Sequence, residues 1–492
     1  MPDTNKLSIA LTLAFITAGG FLLRIINLDE PLWVDEVCSW SFARRMPFGH
    51  MWRVALSDAT PPLYYILLHC VIRSVGEHPA TMRLLSVFFG TLMIPLVYWT
   101  MRQATFSRIN SLYAALLCAV SSMLVFYSQE LRAYILLTFL GVLATGLLFR
   151  CLRDCAPRNL FFYGASIVLL SWAHRYGFLL ICAQFCALVF IKKWRLVSVL
   201  CAAGVLALML PLMQIIQGTF IVTEALDRRT TLGSVLALIT MLNAGTIALR
   251  NVTGLQPGPD VAYPQPAANV FLAIAGLVTF VMIFCCGWIR RTQYTAAQRQ
   301  NIVILVLCIL IPAVLALLAG TALMPTPAWL LRGLLFIWPL YYLLAVIAAG
   351  TCRTPILCIA AIAVINVGSL FPYYAWHERC PSATALMQLN SITTADDLIV
   401  ADQWWYYEII NYYYHGSAQR VGYWKRRGWI DVQKLSESDK PFHASSIETI
   451  PPPKVAGKIF FYIGISNPSV IEEFPQNEIF IYDSQVSWQH IK

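Results

Sequence analysis

The sequence predicts a polytopic α-helical membrane protein that ends in a small α/β domain, and its composition points to this class. Of 492 residues, 58% are hydrophobic and only 12% are charged, whereas soluble domains carry roughly 25% charged residues. The hydrophobic character stops near Tyr374, and the remainder has the composition of a soluble protein. We therefore divide the chain into a transmembrane domain of residues 1–375 and a soluble domain of residues 376–492.

The distribution of charge excludes one class of partner. Residues 376–492 carry 13 acidic and 10 basic side chains, a net charge of −3, whereas the whole chain carries +10. The membrane part therefore carries +13, placed between its hydrophobic segments. A nucleic-acid-binding protein concentrates its positive charge on a soluble surface, so we expect no nucleic-acid partner. Charge between membrane spans indicates topology instead.

Eleven segments have the length and apolar character of transmembrane helices. The first follows only six residues and has no small-residue cleavage site after it, so we interpret it as an uncleaved span. The segment 62–76 differs, because it is short, begins with two prolines and contains His69 and Arg73. The predicted spans are residues 7–28, 80–101, 108–128, 131–150, 159–173, 175–191, 196–216, 268–289, 301–321, 330–350 and 354–375.

The basic residues in the loops decide the topology. If the N-terminus is cytoplasmic and 62–76 is a helix at the outer interface, nearly every basic cluster flanking a span lies in the cytoplasm, as the positive-inside rule requires. If 62–76 crosses the membrane, the same clusters lie outside. We therefore predict about eleven transmembrane helices in a bacterial inner membrane and an extracytoplasmic C-terminal domain. These clusters contain Arg102, Arg108, Arg150, Arg153, Arg158, Lys192, Lys193, Arg195, Arg290, Arg291, Arg299 and Arg353.

This topology gathers ionisable residues at the outer membrane surface, beside two long outer loops, residues 29–79 and 217–267. Charged side chains at a membrane surface, brought from distant parts of a chain, suggest a functional cavity. A carboxylate there can act as a general base, and an arginine can bind a phosphate through its planar donors. The residues concerned are Asp35, Glu36, Asp58, Glu130, Arg132, His174, Arg175 and Arg332.

Each of these residues also has a structural interpretation. Asp35 suits the N-cap of a short helix, and Glu130 suits the first turn of the next span. Arg332 can extend to the membrane interface without binding any ligand, and a lone His174 is more often structural than catalytic. The sequence has no histidine cluster with metal-ligand spacing, no P-loop and no dinucleotide-binding fingerprint.

Four short motifs in a fixed order make the interpretation more specific. Together they resemble the membrane glycosyltransferases of the GT-C type, and most closely the glycosyltransferase family 39 or Rgt-like group, which is related to protein O-mannosyltransferases and to the aminoarabinose transferase of lipid A. The motifs are Leu32-Trp33-Val34-Asp35-Glu36, Pro61-Pro62-Leu63-Tyr64-Tyr65, Arg83-Leu84-Leu85-Ser86 and Tyr127-Ser128-Gln129-Glu130-Leu131-Arg132.

The resemblance implies an inverting transfer of a sugar from a polyprenyl-phosphate donor to an extracytoplasmic lipid, glycan or protein acceptor. It implies that Asp35 is the catalytic carboxylate, with Glu36 beside it, and that Arg332 meets the carrier phosphate. No cofactor is required by these residues, and a divalent cation is left open. Further substrate-binding positions implied by the motifs and the topology are Glu130, Arg132, His174, Arg175, Asp58, Tyr64 and Arg83.

Two departures from the family pattern stand out. Thr60 replaces a histidine that usually precedes the proline pair, and Gly333 replaces a tyrosine after Arg332. We expect the glycine to loosen the local packing.

Two other functions stay open, a flippase for lipid-linked saccharides and a ligase that moves a whole glycan. A transporter would place its polar residues near the midplane, in repeated halves. The crowding of charges at the outer ends of the spans favours the transferase.

The soluble domain has the pattern of a small α/β fold. An apolar run with acidic ends at 396–402 predicts a strand, and the aromatic stretch 404–414 predicts a helix. Two further strands are predicted at 458–463 and 479–482.

Overall fold

The computed structural model describes most of the predicted spans and much of the C-terminal region. Asp58, Thr60, loop 217–267 apart from one position and most of the predicted span 268–289 lie outside the described residues. The described residues are 3–44, 61–216, 242, 274, 278, 279, 281, 285, 293–319, 331–376, 381–401, 404–424, 428–430, 449–450, 456–462, 476–483 and 487–490.

The chain divides into two compact units. The first comprises residues 1–28, 55–256 and 263–377, and the second comprises residues 29–54, 257–262 and 378–492. The described part of the first outer loop, 29–44, therefore groups with the C-terminal region.

Helices lie at each of the ten predicted spans that the structure describes. In chain order the helices up to residue 376 are α1 (Asp3–Ile25), α2 (Val34–Arg44), α3 (Leu63–Val75), α4 (Pro79–Gln103), α5 (Arg108–Val120), α6 (Ser122–Ser128), α7 (Tyr134–Arg153), α8 (Pro157–Ala173), α9 (Gly177–Phe190), α10 (Trp194–Ile216), α11 (Ala296–Ala319), a 3-10 helix (Leu331–Leu334), α12 (Ile337–Ala349) and α13 (Pro355–Trp376).

Length and composition identify the protein as a polytopic membrane protein. Among the described helices, α1, α4, α7, α11 and α13 are each long and apolar enough to cross a membrane. The α5–α6 pair is a sixth candidate, bent by 57° at its break. Helix α3 has 13 residues, about 20 Å at the helical rise, which is shorter than a hydrocarbon core of roughly 30 Å. Helices α9 and α12, which lie at predicted spans, are similarly short, with 14 and 13 residues.

The first unit has a fully buried central helix and peripheral helices with exposed apolar faces. Every residue of α12, from Ile337 to Ala349, is buried. In contrast Phe15 of α1 is 81% exposed and Phe371 of α13 is 69% exposed. Because large apolar side chains are costly to expose to water, these outer faces are suited to lipid.

The break between α5 and α6 is stabilised by a buried arginine of α1. Breaking a helix removes the partners of its last carbonyl groups. Arg24 donates to the carbonyls of Cys118 (3.1 Å) and Ala119 (3.0 Å) at the end of α5, and to the Ser128 hydroxyl (3.1 Å) at the end of α6. Its side chain is 0% exposed. Arg24 therefore ties three helix ends together.

The second unit contains a seven-stranded sheet in the order β4-β3-β2-β1-β5-β6-β7. The central pairings β1–β2, β1–β5 and β5–β6 are parallel, whereas the edge pairings are antiparallel. Strands β1, β5 and β6 and helix α15 lie where the sequence placed them. The elements are α14 (Pro381–Ile392), β1 (Leu398–Ala401), α15 (Trp404–Tyr413), β2 (Gln419–Trp424), β3 (Gly428–Ile430), β4 (Thr449–Ile450), β5 (Ile459–Tyr462), β6 (Ile479–Asp483) and β7 (Ser487–His490).

Candidate functional site

The two acidic residues of the first loop have different environments at the start of α2. The helix begins at Val34, and the backbone N–H of Trp33 donates to Oε2 of Glu36 at 3.3 Å. This is half of a capping box, in which the third helical residue reaches back to the residue before the helix. The capping carboxylate is therefore that of Glu36, and Asp35 is not the N-cap. Glu36 is 0% exposed.

Asp35 keeps accessible surface on an otherwise buried helix. Within 32–44 only Asp35 and Arg44 are not buried. The Asp35 carbonyl accepts from the Ser39 hydroxyl at 3.0 Å, four residues further along the same helix. A carboxylate that is partly open to solvent can in general accept a proton from a hydroxyl group.

In the first unit, His174 lies between two tyrosine rings in the turn that joins α8 to α9. Its ring centroid is 5.4 Å from that of Tyr134 and 5.6 Å from that of Tyr176. The Tyr176 backbone N–H donates to Nδ1 of His174 at 3.2 Å. A hydrogen bond accepted at Nδ1 leaves the proton of a neutral imidazole on Nε2. His174 is thus oriented by its own turn.

Three arginines surround this histidine. The pKa of His174 is lowered to about 3, first by removal of water around the imidazole and then by the charges of Arg132, Arg332 and Arg175. The protonated ring would be repelled by its neighbours, so the histidine is neutral near pH 7. The turn before α7, the α8–α9 turn and the 3-10 helix therefore meet at one place.

Tyr134 joins two of the arginines. The guanidinium carbon of Arg332 lies 5.4 Å from the Tyr134 ring centroid, and that of Arg132 lies 5.8 Å from it. Both distances are within cation–π range. We call Arg132, Tyr134, His174, Arg175 and Arg332 the arginine cluster. Several positive charges collected around one neutral imidazole attract an anion.

Gly333 gives this cluster its close packing. A Cβ at position 333 would lie 2.6 Å from the Tyr176 ring, well inside van der Waals contact. The expectation that this glycine loosens the packing is wrong, because the Tyr176 ring fills the space that another side chain would need. Only glycine allows the 3-10 helix to approach the α8–α9 turn this closely.

Within the motif 127–132, some residues make buried hydrogen bonds and Arg132 keeps accessible surface. Ser128 accepts the hydrogen bond from Arg24 described above, and the Gln129 amide donates to the carbonyls of Arg24 (3.1 Å) and Ile26 (2.6 Å). Glu130 is 4% exposed, whereas Arg132 keeps accessible surface. The hydrogen bonds of Ser128 and Gln129 thus hold the backbone that leads to Arg132, the first residue of the arginine cluster.

Two residues expected to bind substrate make internal hydrogen bonds. The Tyr64 hydroxyl lies 3.0 Å from the Ser86 hydroxyl and links α3 to α4. Arg83 donates to the carbonyl of Leu28 at 2.9 Å. Tyr64 and Arg83 are both 0% exposed. Asp58, which was also expected to bind substrate, lies outside the described residues.

No metal centre is visible in the part of the chain that the structure describes. There, no three His, Cys, Asp or Glu side chains come close enough to hold a metal ion together.

Tyr134 and Tyr176 pack in this site, although no sequence motif pointed to them. Both follow an arginine by one or two positions, at Arg132 and Arg175. An aromatic residue near an arginine in the sequence is a weak indication of a binding site, because the contacts of these rings with His174 and the arginines form only when distant turns come together in the fold.

Comparisons with known proteins identify the fold. No protein-family model and no curated protein matches the sequence. Two crystal structures of ArnT from Cupriavidus metallidurans resemble the chain at 12% identity. The alignment with the apo form has a TM-score of 0.53 and covers 85% of this chain and 86% of the ArnT chain. The alignment with the form bound to undecaprenyl phosphate has a TM-score of 0.52 and covers 84% of this chain and 85% of the ArnT chain. The Archaeoglobus fulgidus oligosaccharyltransferase has a TM-score of 0.47 at 14% identity, covering 85% of this chain and 65% of its own. The chain has the GT-C fold, as the motifs predicted.

Proposed function

We propose that this protein is an inverting glycosyltransferase that moves a hexose or pentose from a polyprenyl-phosphate donor to an extracytoplasmic acceptor. The arginine cluster is the observation that carries the proposal. Three guanidinium groups and a neutral histidine form a surface suited to a phosphate diester, and arginine forks match phosphate oxygens in shape as well as charge. The ArnT structure that contains undecaprenyl phosphate, on the same fold, supports a lipid phosphate as the ligand.

The reaction requires stabilisation of the leaving group. As the acceptor oxygen bonds to the anomeric carbon, the bond from that carbon to the phosphate oxygen breaks. Both electrons of the breaking bond go to the phosphate, so negative charge increases on the polyprenyl phosphate. Arg332 and Arg132 are assigned to this charge, because preorganised cations lower the free energy of a transition state in which charge develops.

The acceptor hydroxyl must lose its proton in the same reaction. We assign this proton to the Asp35 carboxylate, which acts as general base in a single displacement with inversion. Asp35 is favoured over Glu36 because Glu36 is buried and accepts the Trp33 N–H, whereas Asp35 is accessible. Glu130, Arg175 and His174 are assigned to donor binding or to the orientation of the cluster.

The proposal includes a location and partners. The protein lies in the bacterial inner membrane, with a cytoplasmic N-terminus and the C-terminal sheet outside, where it receives a lipid-linked sugar and a lipid, glycan or protein acceptor. Loop charges and the apolar helices support this orientation.

A binding titration with undecaprenyl phosphate tests the cluster. We expect Arg332→Gln to weaken binding roughly 10- to 150-fold, since one charge-assisted phosphate contact contributes about 1.5–3 kcal/mol. Arg353→Gln is the matched control, because Arg353 is exposed and lies beyond the other end of α12. Undecaprenol, which lacks the phosphate, should not distinguish the variants. Equal loss in both variants, or no loss in Arg332→Gln, would refute the phosphate assignment.

A further inference from the structure

The described start of the first outer loop is held by the C-terminal region within the second unit. The Leu32 backbone N–H donates to the Tyr413 hydroxyl at 2.5 Å, and that hydroxyl is 3.3 Å from the Leu32 carbonyl, to which it donates. Leu32 immediately precedes Trp33, whose N–H is capped by Glu36. One tyrosine hydroxyl therefore satisfies both backbone groups of the residue that leads into α2.

Tyr413 is itself firmly placed. It is the last residue of α15 and is 6% exposed. Its carbonyl accepts from the Asn390 side chain of α14 at 3.2 Å, and the same amide accepts the backbone N–H groups of His415 (2.7 Å) and Gly416 (3.1 Å). The end of α15 is thus fixed by α14, and a rigid support positions what it binds more accurately than a mobile loop does.

A second contact extends along the same helices. The Trp40 ring meets the Tyr412 ring edge-on, with centroids 4.8 Å apart. Trp40 is 4% exposed. Aromatic pairs of this geometry add directional packing to apolar burial. Helix α2 is therefore held at its entry by Tyr413 and along its length by Tyr412.

We propose that Tyr413 is a positioning residue for the Asp35 carboxylate, so that the C-terminal region is part of the catalytic apparatus. The path runs from Tyr413 to Leu32, then through the Glu36-capped Trp33 to Asp35 in the first turn of α2. This inference rests on the proposed function in assigning Asp35 as the base. The hydrogen bonds themselves are independent of that assignment.

Two tyrosine variants in the full-length protein in lipid nanodiscs provide the test. Tyr413→Phe removes the hydroxyl that binds Leu32. Tyr414→Phe is the matched control, because the buried Tyr414 side chain also makes two hydrogen bonds through its hydroxyl, to Thr393 Oγ1 (2.7 Å) and from the Ala418 N–H (2.8 Å), and neither partner belongs to the first loop. Tyr413→Phe and Tyr414→Phe should lower the free energy of unfolding by similar amounts, but only Tyr413→Phe removes a hydrogen bond to the first outer loop.

Hydrogen exchange of the segment 32–40 is the first readout. We expect Tyr413→Phe to accelerate exchange at Leu32 and the first turn of α2 about tenfold, since their local opening becomes easier, and Tyr414→Phe to leave this segment unchanged. Equal exchange in both variants would overturn the proposal, whether or not the protein transfers sugar.

Steady-state transfer is the second readout, made with whichever undecaprenyl-phosphate hexose or pentose the wild type consumes. A misplaced base should lower kcat about tenfold with little change in KM for the donor, whereas Tyr414→Phe should keep both. Faster exchange with an unchanged kcat would overturn the positioning role. If the wild type consumes none of these donors, the proposed function fails and so does the positioning role, while hydrogen exchange still decides whether Tyr413 anchors the loop.

Discussion

The guanidinium of Arg332 lies over the ring of Tyr134, 5.4 Å from its centroid, although the two residues are almost two hundred positions apart in the chain. Arg132 approaches the same ring at 5.8 Å. Like charges repel each other, so a shared aromatic ring helps to hold two arginines near one place. This arrangement makes the cluster a candidate phosphate site.

The ring of Tyr134, rather than its hydroxyl, should matter for phosphate binding. Tyr134→Leu should weaken undecaprenyl phosphate binding about fivefold, since a cation–π contact contributes about 1 kcal/mol. Tyr134→Phe keeps the ring and should stay within about twofold of wild type. A binding titration on both variants measures this. If Tyr134→Phe loses as much affinity as Tyr134→Leu, the hydroxyl is the important group.

Gly333 should be intolerant of a side chain. Gly333→Ala places a Cβ 2.6 Å from the Tyr176 ring, so we expect a loss of about 1–3 kcal/mol in the free energy of unfolding from overpacking. Gly204→Ala is the control, because nothing lies within 4 Å of a Cβ at that position. Thermal unfolding in detergent should show a lower Tm only for Gly333→Ala. An unchanged Tm would mean that the cluster packs less closely than the distances indicate.

The neutral state of His174 predicts a pH dependence of stability. Its pKa is about 3 in the folded protein and ordinarily 6.5, so between these values the unfolded chain binds a proton that the folded chain does not. The contribution of neutral His174 is complete above pH 6.5 and is lost progressively as the pH falls towards 3. In His174→Gln this contribution is absent. Between pH 6.5 and 4 the Tm of His174→Gln should therefore fall less than the Tm of wild type. If the two plots of Tm against pH run parallel, His174 does not titrate in this way.

Arg24 should be required for folding rather than for binding. Arg24→Lys retains the charge, but a single ammonium group cannot reach the Cys118 and Ala119 carbonyls and the Ser128 hydroxyl together. We expect a loss of roughly 2–4 kcal/mol in stability, because buried acceptors lose their donor. The exposed Arg108→Lys is the control. A drop in undecaprenyl phosphate affinity without a drop in Tm would place Arg24 in the site instead.

The sequence predicted most of the secondary structure, because long apolar segments and strand patterns are local signals. Helices lie at the ten predicted spans that the structure describes, and β1, β5, β6 and α15 lie at their predicted positions. The motifs also predicted the GT-C fold. These features depend on hydrophobicity and residue order, which a single sequence contains.

The details of the site depended on contacts between distant residues. Nothing near Gly333 in the sequence indicates that Tyr176 fills the space beside it. Nor does the first loop show that Glu36 caps Trp33 or that Tyr413 binds Leu32. Tyr64 and Arg83 matched motifs by residue type, but they are buried and bonded internally. A motif records which residues recur together and does not separate those that bind substrate from those that support them.

The proposed mechanism depends on Asp35 accepting the proton of an acceptor hydroxyl as a sugar leaves its lipid phosphate. The most direct measurement is release of undecaprenyl phosphate from undecaprenyl-phosphate hexoses and pentoses by membranes containing wild type, Asp35→Asn or Asp29→Asn. Asp29 is an exposed acid of the same loop. We predict release by wild type and Asp29→Asn, and a loss of at least about a hundredfold in Asp35→Asn with undecaprenyl phosphate binding retained. Release by Asp35→Asn at the wild-type rate would rule out Asp35 as the base, and no release from any donor by wild type would rule out the proposed transfer.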